Sequence, residues 1–236
     1  MHGKSTDAVE SIQLAHKAGS IWRDVPAEDW NDWHWQMQHR ITTPEALAQV
    51  ITLTPHERRA VERASKLFRF AITPYYASLM SVDNPDCPIR LQAVPSAAET
   101  ALGDFEIEDP LNEEGDTVAP GMTHRYPDRV LWVVIQECAM LCRHCTRKRK
   151  VGESPRPLPD HEIDKGIAYL REHPEVRDVL VSGGDPMLLS DDRIERILKR
   201  IRTEAPSVDI IRFGTRVPCT MPQRITPQLT EMLRRY

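Results

Sequence analysis

Three cysteines stand within eight residues, in the run Cys138-Ala-Met-Leu-Cys142-Arg-His-Cys145. The spacing C-x3-C-x2-C offers three soft thiolates, ligands that suit an iron–sulfur cluster. Three thiolates can hold three irons of a 4Fe–4S cube and leave the fourth iron open to an external ligand. A structural zinc ion bound by the same cysteines and His144 is the alternative donor set. His144 immediately precedes Cys145, which is awkward for joining neighbours on one tetrahedral ion, and no second ligand pair follows. Cys87 and Cys219 stand alone, as thiols with no assigned role. An odd number of cysteines, three of them clustered, makes a poor disulfide framework and suits a reducing compartment.

A second motif is Ser182-Gly183-Gly184-Asp185-Pro186. Glycines let a backbone approach a ligand closely, and a carboxylate beside them can accept from an ammonium group. Gly-Gly and Asp-Pro are also ordinary turn pairs. A third is the basic run Arg147-Lys148-Arg149-Lys150. A solvated face is its plain reading, and Arg147 could instead clamp a substrate carboxylate through its guanidinium fork. Arg125, Tyr126 and Arg129 form a further basic and aromatic group, suited to surface ion pairs or to a phosphate.

The elements that must position these residues change character along the chain. The first 80 residues read as helical. Trp30, Trp33 and the stretch to Met37 suggest an amphipathic helix after Pro26. Thr43-Pro44 and Thr54-Pro55 read as helix starts, and Thr54 with Glu57 has capping-box spacing. The second of these helices should run from Pro55 to about Arg69. Residues 81–128 are rich in Pro, Asp and Glu and read as an extended connection.

From residue 129 the pattern is strand, helix, strand, helix, strand, helix. Arg129–Gln136, Asp178–Ser182 and Asp209–Phe213 are the apolar runs expected of buried strands. Between and after them lie helices at Asp160, Ser190 and Thr226-Pro227, with apolar faces Ile163/Ile167/Leu170, Ile194/Ile197/Leu198/Ile201 and Leu229/Met232/Leu233. The fold class is α/β: a helical N-terminal region followed by the first half of a parallel (β/α) barrel, three β/α units over residues 129–236. Three units do not close a barrel, and a helical pattern is still running at Tyr236, so the reading favours part of a longer protein. The cysteine run follows directly on the first of these strands, and parallel barrels collect their chemistry at the C-terminal ends of strands.

Bulk properties narrow the function classes. The chain has 236 residues, 40% hydrophobic and 28% charged, with a formal charge of −4. No basic excess argues for nucleic acid, no apolar run is long enough to span a bilayer, and MHGKSTDAVESIQ lacks the apolar segment of a secretory signal. A cytoplasmic protein is expected.

At this point the residues resemble those of the lysine 2,3-aminomutase family of radical S-adenosylmethionine (SAM) enzymes. The resemblance is carried by WHWQMQHRITTPEAL, ITPYYASLM, THRYPDRVLWVV, CAMLCRHCTRKR, VLVSGGDPMLL and IRFGTRVPCTMPQRITPQL. It runs from about Trp22 to the end. It implies a 4Fe–4S cluster on Cys138, Cys142 and Cys145, with SAM on the open iron and along His144, Ser182, Gly183, Gly184 and Asp185. It implies Arg147 on the substrate carboxylate and Arg125, Tyr126 and Arg129 at a pyridoxal phosphate (PLP) site. The implied chemistry is reductive cleavage of SAM to a 5′-deoxyadenosyl radical, hydrogen abstraction from the β-carbon of an amino acid, and migration of its nitrogen from α to β. The implied partners are a small amino-acid substrate, a reductant such as flavodoxin or ferredoxin, and further copies of the full-length chain.

The family's PLP-binding lysine, its acidic residues for a lysine side chain and its zinc cysteines lie downstream of Tyr236. The chain alone is therefore expected to bind a cluster and not to turn over. The run Thr146-Arg-Lys-Arg-Lys-Val-Gly also departs from the arginine run and Phe-Ala-Gly of typical lysine enzymes. L-Lysine to L-β-lysine is the expected reaction, with glutamate or another amino acid as the alternative within the family. A zinc-stabilised, non-catalytic binding module is the alternative from another class.

Overall fold

The computed structural model describes residues 20–101, 103, 107, 109–148, 150–152 and 156–236. Arg149 of the basic run, the first 19 residues of the expected helical region and residues 102, 104–106 and 108 of the expected connection lie outside them. The chain divides into two compact units. One comprises residues 1–105, 139–148 and 219–223, and the other residues 106–138, 149–218 and 224–236. Among the described residues no helix is long and apolar enough to cross a membrane.

The first unit is built from short helices: α1 (Ala27–Asn31), α2 (Trp33–Gln38), α3 (Pro44–Ala48), α4 (Pro55–Ala64), α5 (Pro74–Ser78) and α6 (Pro88–Leu91). The single helix expected around Trp30 and Met37 is two. Asp32 ends α1 in an extended conformation and its carboxylate caps α2 by accepting from the His34 N–H. Thr43, Thr54 and Thr73 each cap a helix that begins with proline, where the missing N–H costs nothing. At Thr54 the capping box with Glu57 is complete. α4 stops at Ala64, short of the expected Arg69, because Ser65 closes its last turn.

The core of this unit gathers Ile41, Leu47, Ile51, Val61, Phe70, Ile72, Tyr76 and Met80. A buried ion pair sits at its edge. Arg90, 1% exposed, donates to Glu57 at 2.6 Å and to the carbonyls of Thr52 and Val82. Burial pushes the Glu57 carboxyl up. The Thr54 donors and the charge of Arg90 outweigh it and hold the carboxyl below its ordinary range.

The second unit is a five-stranded sheet in the order β1 (Thr117–Ala119), β2 (Met122–Tyr126), β3 (Arg129–Ile135), β4 (Asp178–Gly183), β5 (Ile210–Phe213). β3, β4 and β5 are parallel, in register Val130↔Val179 and Val179↔Ile211. β2 pairs antiparallel with the edge of β3 away from β4, and β1 pairs antiparallel with β2. The expected extended connection therefore contributes two strands to the sheet. β3 buries Val130, Trp132, Val134 and Ile135 and leaves Leu131 and Val133 half-buried, where a strand buried on both faces was expected. β4 has no exposed residue.

Helices α7 (Asp160–Glu172), α8 (Asp191–Glu204), α9 (Val217–Thr220) and α10 (Pro227–Leu233) complete the chain. α7, α8 and α10 bury the apolar positions expected of them, except that Leu233 is half-buried. Ser190 and Thr226 cap α8 and α10. Asp160 does not cap α7 but opens it behind Pro159. α7 packs tightly on the sheet at Gly166, where a Cβ would lie 2.3 Å from the buried Trp132 ring.

Two predictions follow from this packing. Gly166→Ala gains helix propensity of at most about 1 kcal/mol, but the overlap with Trp132 costs about 1–3 kcal/mol, so a net lower urea midpoint is expected. A midpoint at or above wild type would show that the Trp132 ring yields freely. Glu57→Gln removes one partner of the Arg90 pair and should cost about 3 kcal/mol, the low end for a buried pair because Glu57 is partly exposed. Glu57's folded value lies below its unfolded one. Its contribution is thus present above about pH 4.3 and is lost as pH falls through the folded value. Urea titrations should show the wild-type advantage over Glu57→Gln shrinking in acid, and an advantage that grows there refutes the assignment.

Candidate functional site

In the sheet unit, β3 and β4 run parallel, so both release their chains at the same edge. β3 ends at Ile135 and delivers Gln136, Glu137 and Cys138, all half-buried. β4 ends at Gly183 and turns through Gly184 and Asp185. The two strand ends are bonded together there. Gly184 N–H donates to the Ile135 carbonyl at 2.8 Å and Asp185 N–H to the Glu137 carbonyl at 2.6 Å. A Cβ on Gly183 would meet the Ile135 carbonyl at 2.3 Å, and one on Gly184 the Glu137 carbonyl at 2.0 Å. Neither glycine has positive φ. They are needed because the peptides before Cys138 occupy the space a side chain would take. Ser182 is buried, and its hydroxyl would lie 3.0 Å from a Cβ on Gly214 just after β5.

Asp185 is buried and its carboxylate is engaged on both oxygens. Oδ1 accepts from the Thr215 hydroxyl at 2.6 Å and the Met187 N–H at 3.1 Å. Oδ2 accepts from the Arg216 and Val217 N–H groups at 2.8 and 3.1 Å. Burial pushes the carboxyl up from its ordinary range, against the pull of these four donors. The carboxylate expected beside a ligand's ammonium ties the turn after β4 to the turn after β5. Nothing in the pattern SGGDP marked Thr215–Val217 as its partners. The signal was only that GTR follows the third strand as SGG follows the second.

Cys142, His144 and Cys145 belong to the helical unit. Met140 is part of its core and Cys142 packs against it. Leu141 N–H donates to the Ala71 carbonyl and Arg143 N–H to that of Gln92, both at 3.0 Å. The Arg143 guanidinium makes a buried pair with Glu99 at 2.6 Å. Sequence reading passed over both residues, although Ser96 and Glu99 have the spacing of the capping box they form. Cys142 and Cys145 are half-buried and in no disulfide, like Cys138. Arg147 N–H donates to the Cys145 sulfur at 3.4 Å. Arg147 is half-buried and His144 exposed.

Among the described residues no three His, Cys, Asp or Glu side chains are grouped as ligands of one metal ion. A 4Fe–4S cube does not ask for such a point, since each thiolate takes its own iron. Three partly buried cysteines within eight residues, none in a disulfide, have the donor chemistry for it.

Arg125, Tyr126 and Arg129 stand elsewhere. Both guanidinium carbons lie 5.8 Å from the Tyr126 ring. Arg125 faces Asp116 at 3.5 Å, and Arg129 holds both oxygens of Asp128 at 2.8 and 3.1 Å. Arg129 begins β3 and Cys138 follows its end. The strand's seven residues, six steps of about 3.3 Å, put its two ends about 20 Å apart. The sheet unit thus does not bring this group to the cysteine edge. Lys148 and Lys150 of the basic run are paired with Glu99 and Glu114.

Comparison with known proteins adds to this geometry. Residues 132–236 match the radical SAM superfamily. The chain is 51% identical to the L-lysine 2,3-aminomutase of Acetoanaerobium sticklandii over 90% of its own length and 51% of the relative's. It is 49% identical to that of Bacillus subtilis, over 92% of its length and 46% of the relative's. It is 44% identical to the glutamate 2,3-aminomutase of Clostridioides difficile, over 89% of its length and 49% of the relative's. The chain spans about half the length of the curated relatives it matches.

Asp185→Asn puts an NH2 group against donors that need an acceptor. A loss of about 1–3 kcal/mol is expected for leaving buried N–H groups unpaired, read as a lower urea midpoint with unchanged slope. A wild-type midpoint would show that the tie between the two turns does not bear on stability.

Proposed function

We propose, from the premise that this chain belongs to the radical SAM superfamily as a relative of the lysine 2,3-aminomutases, that it is part of an amino-acid 2,3-aminomutase whose first substrate is L-lysine. The observation that carries the reading is the cysteine run Cys138-x3-Cys142-x2-Cys145 leaving β3 at the edge where the Gly183-Gly184 turn leaves β4. Cys138, Cys142 and Cys145 would hold the cluster. With SAM bound, the pair supplies a carbon radical able to take an unactivated hydrogen, chemistry that no side chain provides.

The chain's own residues bind, orient and exclude. Ser182, Gly183 and Gly184 present a stretch of backbone beside Cys138 along which SAM would lie. Asp185 serves it through the turn that it fixes, since its oxygens already have four donors. His144, exposed between two cysteines, is a further candidate for contact with SAM. Arg147 would take the substrate carboxylate through its fork. Its backbone N–H to the Cys145 sulfur ties its position to the cluster loop.

PLP is the third cofactor of this reading. Arg125, Tyr126 and Arg129 are its candidates by resemblance, and two guanidiniums flanking a phenol suit a phosphate beside an aromatic ring. Loading requires a phosphate to compete with Asp128 for Arg129. A one-electron reductant, flavodoxin or ferredoxin in type, must supply the electron. Glutamate in place of lysine is the second reading: a glutamate 2,3-aminomutase stands among the relatives at 44% identity, and Lys-Val-Gly after the cysteine run departs from typical lysine enzymes.

The test is anaerobic reconstitution, dithionite reduction and EPR with and without SAM, followed by a substrate panel on a full-length protein containing this chain. A 4Fe–4S signal that changes on adding SAM, and β-lysine as product, are expected. β-Glutamate alone moves the assignment to the second reading. A colourless zinc protein without acid-labile sulfide would overturn both in favour of a binding module.

A further inference from the structure

We infer that Glu99 and Arg143 form a brace that shapes the Cys142–Cys145 stretch, and that Glu99 sets the charge felt by whatever those thiolates hold. The inference rests on the iron–sulfur reading above and concerns the helical unit alone.

Arg143 stands between the two cysteines and is anchored three ways. Its Nε donates to both Glu99 oxygens at 3.0 and 3.1 Å, and one terminal nitrogen donates to Glu99 Oε2 at 2.6 Å. The other terminal nitrogen donates to the Arg69 carbonyl at 2.8 Å. Its backbone N–H donates to the Gln92 carbonyl. Glu99 is fixed in turn by the Ser96 N–H at 3.0 Å. One residue, through its side chain and its N–H, thus pins the loop to three separate segments of the helical unit.

The charge arrangement is specific too. The Arg143 and Glu99 side chains are 7% and 10% exposed, so water screens the pair little. The Lys148 ammonium lies 3.7 Å from the same carboxylate and 4.3 Å from the centre of the Phe68 ring. Lys148 N–H also donates to the Cys145 carbonyl. One carboxylate therefore offsets two cations that flank Cys145 in the chain. Charge and hydrogen bonding around the sulfurs set a cluster's reduction potential. A cation left uncompensated there favours the reduced, more negative state and raises the potential, while a lost cation lowers it. Glu99→Gln and Lys148→Gln must act in opposite directions. A pair serving only to hold the fold together predicts no such opposition.

The experiment compares wild type, Glu99→Gln, Lys148→Gln and Glu57→Gln after anaerobic reconstitution with iron and sulfide. Glu57→Gln opens the unit's other buried pair and is the control for general destabilisation. Iron and sulfide per chain, the potential from an EPR-monitored redox titration, and amide exchange over residues 141–145 are read. The expected result is a positive shift for Glu99→Gln, a negative one for Lys148→Gln and none for Glu57→Gln. Exchange over residues 141–145 should speed up in Glu99→Gln alone. Shifts of equal sign, no shift, or an equal shift in Glu57→Gln overturn the inference. Should Glu99→Gln take up no cluster, an unchanged potential in Lys148→Gln or unchanged exchange in the apo variant overturns it. A wild-type chain without a cluster refutes the iron–sulfur reading instead. Exchange in Glu99→Gln against Glu57→Gln then still decides the brace.

Discussion

A peptide carbonyl pressed against a glycine governs the cysteine edge of the sheet. The Glu137 carbonyl occupies the place of a Gly184 side chain and accepts the Asp185 N–H at 2.6 Å. β3 therefore cannot release Cys138 in any direction it likes. The peptide before the cysteine is fixed by the backbone of the neighbouring strand, and Asp185 fixes that backbone against the turn after β5. A backbone-to-backbone lock tolerates no side chain and needs none. The usual reading of glycines at a strand end, room for a ligand, is here preceded by a stricter need, room for Glu137.

The remaining cysteines are held by different means. Between Leu141 and Cys145 no strand is available, so the loop's polar groups find partners one by one among the helices: Ala71 and Gln92 for two N–H groups, and Glu99 and Arg69 for the guanidinium. Met140 adds apolar anchorage. Burying an arginine costs solvation that only a well-placed carboxylate repays. Arg143 meets that condition with several bonds to one acid and a carbonyl.

What was legible in the sequence follows from how local each signal is. The parallel strands showed as apolar runs because β4 has no exposed residue and β3 one exposed end. The capping threonines showed because a cap needs only its next three residues. The cysteine spacing showed because loop ligands are counted along the chain. β1 and β2 did not show: Thr-Val-Ala and Met-Thr-His-Arg-Tyr carry no apolar run, and they are strands only because β3 offers an edge. The Arg143–Glu99 pair spans 44 residues, and no local pattern announces such a contact. Asp185 stood out in the sequence, but its partners in the turn after β5 lie about thirty positions on, so its task as a tie did not show.

The two ends of the parallel strands differ in a way that bears on where chemistry belongs. At the N-terminal end, Asp128 receives the N–H groups of Arg177 and Asp178, and the Arg177 carbonyl receives those of Asp209 and Ile210. Ion pairs Arg129–Asp128, Arg212–Asp178 and Arg177–Asp209 overlie these bonds. Each charge there already has its partner, as suits a face that contributes stability. At the C-terminal end stand two glycines, a buried serine and a thiol, and the buried carboxylate of Asp185 ties the turns through backbone and hydroxyl donors. In parallel α/β barrels ligand chemistry gathers at the C-terminal ends of the strands, which in the sheet unit is the cysteine edge. An arginine on the stitched face, as Arg129 is, can serve a ligand only by giving up Asp128. The competition between that carboxylate and a phosphate therefore decides whether Arg129 belongs to a binding site or to the fold.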